Sequence, residues 1–198
     1  MSEKPEVNQN LPTGEKKGKE EEKLTMGQEL YQTLQSLVSI VLIVILLFTF
    51  VVRITVVDGI SMENTFHNGN MVLTWSPGYE PKQGDVVVLT QKTFREQSII
   101  KRVIAVGGQR VDIDYDTGTV YVDNVALEEP YIKEIMRTPY FGEGINHVEI
   151  PEGCVFVMGD NRNHSSDSRD PDIGIVDERC IIGRAVFVVF PFADFGPV

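Results

Sequence analysis

The chain has 198 residues, room for one folded domain with a modest excursion and too few for a multi-domain machine. Its 18 Lys and Arg stand against 29 Asp and Glu, and the net charge of −11 excludes a basic face built for nucleic acid. Two cysteines, Cys154 and Cys180, are too few for a disulfide scaffold and lack the paired spacing of a zinc site, so neither metal nor redox chemistry is indicated.

In chain order, residues 1–23 are rich in Glu, Lys, Asn, Gln and Gly and have almost no large apolar side chain. Such a segment cannot bury enough surface to offset ordering, which predicts a disordered tail over 1–30. Residues 36–52 then read SLVSIVLIVILLFTFVV without a charge. At about 1.5 Å per residue this run reaches about 26 Å, and with residues 53–57 it approaches the ~30 Å hydrocarbon thickness, Arg53 snorkelling to the interface. A cleavable signal would have a shorter apolar core and a small-residue cut site, and a buried core helix would have a polar stripe. The expectation is a retained transmembrane anchor over 31–57. Lys4, Lys16, Lys17, Lys19 and Lys23 precede it, whereas only Arg53 follows before Lys82. The basic residues therefore predict a cytoplasmic tail and an extracytoplasmic domain over 58–198.

Beyond residue 57 no helical periodicity persists, while short β-branched runs recur between turn signals such as Pro77-Gly78, Gly84-Asp85, Gly107-Gly108 and Asp123-Asn124. Strands are expected at 71–75, 86–90, 99–106, 110–115, 119–122, 155–158 and 181–190. Runs such as Val86-Val87-Val88-Leu89 are apolar on both faces, which favours a barrel-like or two-sheet core over a single wetted sheet. The predicted fold class is mainly β, an N-terminal transmembrane helix followed by an all-β domain.

Chemistry concentrates in four blocks in fixed order. They are Gly59-Ile60-Ser61-Met62-Glu63-Asn64-Thr65, Gly84-Asp85-Val86-Val87-Val88-Leu89, Lys101-Arg102-Val103-Ile104-Ala105-Val106-Gly107-Gly108, and the run from Gly159-Asp160-Asn161-Arg162 through His164-Ser165-Ser166-Asp167-Ser168-Arg169. A serine hydroxyl needs a base within hydrogen-bond reach, and a lysine serves only when neutral. Lys101 lies among apolar strand residues, where burial would disfavour the ammonium. Ser61 lies in a Gly-containing loop whose N–H could face a reacting carbonyl.

With the single N-terminal anchor, these blocks resemble the bacterial type I signal peptidases from residue 36 onward. The resemblance implies antiparallel, barrel-like sheets shared with the SOS-repressor proteases, and a small variable β subdomain over 109–150. It implies a membrane-bound serine endopeptidase that removes signal peptides after small residues, with Ser61 as nucleophile, Lys101 as base, the Ser61 N–H stabilising the oxyanion, and Ser165 orienting Lys101. No cofactor is implied. Exported preproteins, the phospholipid membrane and a neighbouring secretion translocon are the implied partners, and nucleic acid is not. The substrate would add as an extended strand, with Met62, Phe66, Val57, Ile100 and Val88 as walls admitting only small side chains. Arg102, Asp160, Asp167 and Arg169 are expected to form ion pairs holding the last block beside the dyad, and Phe66 and Trp75 to be exposed apolar residues that touch lipid.

One position departs from the family pattern Ser-Met-x-Pro-Thr: Asn64 stands where proline would fix φ, predicting a loop that survives with less stiffness. Rival readings remain. His164, His67 or His147 could serve a histidine triad, but the second glycine and the α/β context of a nucleophile elbow are missing. Cys154 reads as a small buried hydrophobe rather than a thiol nucleophile, and pairing of Cys154 with Cys180 stays open. A self-cleaving Ser/Lys protease of the SOS-repressor kind would have a soluble partner-binding N-terminus, and a silent membrane-tethered β module would not need both Ser61 and Lys101.

Overall fold

The computed structural model describes residues 25–90, 98–137 and 144–198; the expected tail up to residue 24 lies outside them. The chain falls into two compact units, Met1–Leu42 and Ile43–Val198. Helix α1 (Met26–Phe50) starts where Thr25 caps it, its backbone N–H and hydroxyl both donating to Gln28 Oε1 at 2.8 and 3.0 Å. The expected tail residues 26–30 are therefore helical. None of its 25 residues is buried, and by length and composition it is apolar enough to cross a membrane. Three of its hydroxyls stay inside the helix, Thr33, Ser39 and Thr49 donating to the carbonyls of Glu29, Gln35 and Ile45.

The expected anchor does not continue to residue 57. Residues Val52–Val56 form strand β1 instead, antiparallel to β2 (Met71–Trp75), from Val52 opposite Trp75 to Val56 opposite Met71. Arg53 and Thr55 interrupt the apolar run with period two, which suits a pleated edge better than a helix in lipid.

Every run read as a strand forms one, with ends displaced by one residue at most: β2, β3 (Val86–Leu89), β4 (Ile99–Val106), β5 (Arg110–Asp114), β6 (Thr119–Val122), β9 (Cys154–Met158) and β11 (Ile181–Phe190). Four others, β7 (Val125–Ala126), β8 (His147–Glu149), β10 (Val176–Asp177) and β12 (Gly196–Pro197), are two or three residues long and exist only through their partners. The protein is mainly β and all pairings are antiparallel. The larger sheet runs β1-β2-β11-β3-β4-β9-β10, with β12 also on β11; the smaller runs β7-β6-β5-β8. Gly183 is needed where β11 crosses β2, because a Cβ there would lie 2.3 Å from the Trp75 carbonyl oxygen.

Alternation decides the packing. In β3, Val86 and Val88 face one core with Val57, Met62, Phe66, Val72, Ile100, Ala185 and Val188, while Val87 and Leu89 face another with Val103, Val155, Val157, Ile173 and Val176. A third core is shared by both sheets: Ile104, Ala105, Phe156 and Met158 of the larger pack with Val111, Ile113, Val120 and Val122 of the smaller, plus Met136 and Ile150. Segment 109–150 thus carries its own sheet but no interior of its own.

Candidate active site

Ser61 sits on a tight loop leaving β1. Glu63 N–H bonds Ile60 O at 3.1 Å, and the N–H groups of Thr65 and Phe66 bond Met62 O at 3.0 and 2.8 Å, making one continuous turn. Met62 and Phe66, each 1% exposed, sink into the core below it and leave Ser61 at the surface of the turn. From the far end of the sequence, Asn161 grips the loop: its N–H donates to Ser61 O and its Nδ2 to Ile60 O, both at 3.0 Å. The two carbonyls flanking the Ser61 peptide are held by one side chain and its own backbone.

Lys101 comes from β4, opposite Val87 of β3, and is 4% exposed. Its Nζ lies 2.8 Å from Ser61 Oγ and 3.1 Å from the Ile100 carbonyl. The amine and the hydroxyl expected to form the dyad are thus in hydrogen-bond contact, the amine buried and the hydroxyl at the edge of a cleft. The Ser165 hydroxyl is buried in the same region. It lies near enough to Asp167 to help lower that acid, and among the described residues its oxygen has no hydrogen-bond partner. Gly159 separates it from the Ser61 loop, and a Cβ on Gly159 would stand 2.2 Å from Ser165 Oγ and 2.5 Å from Ser61 O.

Arg102 and Arg169 each form an ion pair, with Asp160 and Asp167 respectively. Arg102, adjacent to Lys101 and so on the opposite side of β4, donates Nε and Nη2 to the two oxygens of Asp160 at 2.8 and 2.7 Å, and Nη1 to Gly84 O at 2.8 Å. Thr65 Oγ1 donates to Asp160 Oδ2 at 2.5 Å, and the guanidinium lies 4.0 Å over the Tyr131 ring. Burial, followed by the Glu129 carboxylate, pushes the Tyr131 phenol up to about 12, so the ring stays neutral. Arg169 donates Nε and Nη2 to Asp167, both at 2.8 Å, and Gly159 N–H reaches Asp167 Oδ2 at 2.9 Å. Burial works against the Asp167 charge, but Arg169 and these hydrogen bonds outweigh it and hold the carboxyl below its ordinary 3.8.

A cleft of about 190 Å³ opens beside Ser61 and Lys101, walled by residues 56–60 on one side and Ser98, Ile99 and Ile100 on the other, with His164 and Ser166 at its rim. Of the expected pocket walls, Val57 and Ile100 line it, whereas Met62, Phe66 and Val88 lie in the core cluster that Val57 and Ile100 share. The expectation that Phe66 is exposed to lipid is incorrect: it plugs the loop into the core, and of the pair only Trp75, 45% exposed, faces outward. Among the described residues, the group that bonds Ser61 Oγ is the Lys101 amine and no imidazole; His147 pairs with Asp112 on the small sheet at 2.5 Å. Cys154 and Cys180 are free thiols, and burial, with Asp177 and Glu178, raises Cys154 above its ordinary 9.0.

Sequence reasoning missed the supports that come from residues 128–137. Arg162, fully buried, pairs with Glu129 at 2.5 and 3.0 Å; Lys133 pairs with Glu63; and Arg169 Nη1 reaches Met136 Sδ at 3.2 Å. Neither periodicity nor a motif marks this segment. Asn161 was readable only as part of its block.

Residues 30–190 match the family model described as signal peptidase, peptidase S26. Signal peptidase I of Bacillus licheniformis is 30% identical over 187 residues, 88% of this chain and 96% of its own. The probable signal peptidase I-1 of Synechocystis is 35% identical over 170 residues, 81% of this chain and 82% of its own. Signal peptidase I T of Bacillus subtilis is 33% identical over 172 residues, 81% and 85% of the two chains. The solved signal peptidase I of Enterococcus faecalis V583 covers 54% of this chain and 97% of its own at 27% identity and a TM-score of 0.43. With a match that runs from α1 to the end of β11 and relatives aligned over most of both lengths, the chain belongs to the signal peptidase family, peptidase S26, and is a serine peptidase of the signal peptidase I type.

Proposed function

We propose that the protein is anchored by one transmembrane segment, its N-terminus cytoplasmic and the β domain from β1 onward outside, and cuts signal peptides from exported preproteins with Ser61 and Lys101. The observation that carries this reading is the 2.8 Å contact between Lys101 Nζ and Ser61 Oγ, with the lysine 4% exposed. Burial disfavours a charged amine, and a neutral amine is a competent base. Lys101 takes the hydroxyl proton as Ser61 attacks the carbonyl after a small residue. The protonated amine then gives that proton to the departing amine, leaving an acyl-enzyme, and Lys101 activates the water that hydrolyses it. The Ser61 N–H, aimed by the Asn161 bonds on either side of it, is the oxyanion donor in this scheme.

Ser165 is assigned to orienting Lys101, supported by its burial beside Gly159. Val57 and Ile100 are assigned to the walls that limit the residue before the cut, with Met62, Phe66 and Val88 setting their depth from behind. The apolar length of α1 supports the anchor, and the lysines before it the orientation. A translocon beside the enzyme would supply preproteins still held in the bilayer.

Ser61→Ala and Lys101→Met are each expected to lower preprotein cleavage by roughly 10³-fold or more, by analogy with removal of one member of a catalytic set, with the melting temperature held. Cleavage should also fall toward acid pH as Lys101 takes up a proton. Full activity of Lys101→Met, or a rate flat through the acid range, would exclude this base.

A further inference from the structure

Asn64 stands three positions after Ser61 and adopts φ of +93°. Proline is fixed near −65°, so the residue of the family pattern cannot occupy this backbone, and among ordinary side chains Asn is one of the few that enter the left-handed region readily. The Asn64 side chain is also tied down: Nδ2 donates to the Tyr131 carbonyl at 3.2 Å. On one side of it Glu63 pairs with Lys133, and on the other Thr65 bonds Asp160.

The carbonyl that receives Asn64 belongs to a segment fastened to the last block along its length. Lys133 N–H bonds Asp160 O at 3.0 Å, Glu129 pairs with buried Arg162, Asn163 Nδ2 bonds Ile135 O at 3.2 Å, and Arg137 N–H bonds Asn163 Oδ1 at 3.1 Å. Residues 129–137 therefore form a strap across the outside of the Ser61 turn. Because the bonds from Glu63 N to Ile60 O and from Thr65 N to Met62 O close that turn, a shift at position 64 is passed to Ser61.

We propose that Asn64 is a positioning residue, whose left-handed backbone and amide bond to Tyr131 fasten the Ser61 turn to the strap 129–137 and so set Ser61 Oγ against Lys101 Nζ. This rests on the dyad reading above. The sequence suggests a loop loosened by loss of proline; the structure holds it by a tertiary tether instead. Installing proline should therefore harm this enzyme rather than stiffen it.

The test uses the full chain in detergent, cleaving a preprotein with its signal peptide, with Asn64→Gly, Asn64→Ala, Asn64→Pro and Lys133→Met compared by kcat, KM and melting temperature. Glycine keeps the backbone and loses the tether, alanine loses the tether and strains the backbone, and proline forbids the backbone. The expected kcat losses are roughly threefold, tenfold and a hundredfold in that order, and a few-fold for Lys133→Met, with KM held within about twofold. That ranking at constant KM and melting temperature supports the proposal. A proline variant at or above the parent kcat overturns it, as do losses confined to KM or tracking the melting temperature. If Asn64→Pro does not fold, the glycine and alanine variants decide alone, and parent-like kcat in both overturns it. Ser61→Ala runs in parallel: if it still cleaves, the dyad reading has failed, whereas an inactive Ser61→Ala beside unaffected Asn64 variants sinks only this inference.

Discussion

Gly159 has ordinary negative-φ freedom to spare and still admits no side chain, because Ser165 Oγ and Ser61 O already occupy the space a Cβ would take, at 2.2 and 2.5 Å. Gly159→Ala must push the Ser165 hydroxyl, the Ser61 peptide, or both. We expect overpacking to cost about 1–3 kcal/mol of stability, read as a lower melting temperature, together with a fall in kcat larger than that loss explains. A parent-like kcat would show that the backbone behind Ser61 gives way without consequence. Ser61 and Lys101 were legible in the sequence because each lies in a recognisable block, and the fold then brings the blocks together. Gly159 read only as the start of a block, since nothing in the sequence shows that the block folds Ser165 back onto it or that Ser61 O, from far away in the chain, closes the other side. Asn64 was legible as a departure, but its partner Tyr131 was not.

At the level of elements, β4 buries a lysine and an arginine in succession, and strand alternation sends Lys101 toward Ser61 and Arg102 toward Asp160. The strands themselves were readable because β-branched runs stand between turn residues. β1 was read into the anchor because residues 53–57 were counted toward the membrane thickness despite Arg53 and Thr55, and pairing with β2 assigns them to the sheet instead. β7, β8, β10 and β12 are too short to have a period. The strap 129–137 has neither period nor motif, and among the bonds that fasten it is one buried charge pair, Glu129 with Arg162. Glu129→Gln would leave the guanidinium of Arg162 without its counter-charge, an effect of about 3–5 kcal/mol. A drop of roughly 10 °C in melting temperature is expected for a domain of this size, and a drop of a degree or less would mean that water or another acid takes over the role of Glu129.

Across the whole molecule, acid should be the weak side. The Asp167 carboxyl is held below its ordinary 3.8 in the folded state, chiefly by Arg169 against the cost of burial. A depressed carboxyl binds its proton more readily when unfolded, so its stabilising contribution is complete above pH 3.8 and disappears as pH falls through the folded value. Denaturant midpoints should be steady from neutral pH down to about 4 and then decline, and the decline should shrink in Asp167→Asn, which lacks the titration. The net charge of −11 and the mainly β class were readable from composition and spacing, whereas the joining of the two sheets was not, because alternation shows that a face is apolar and not which face it meets. That joint has a consequence for anyone redesigning the molecule. The hairpins between Arg110 and Glu149 donate half of a common oil drop; trimming them would strip Phe156 and Met158 of their cover, and transplanting them elsewhere would export an unmatched greasy face, so this region can be recut only together with the strands beneath it.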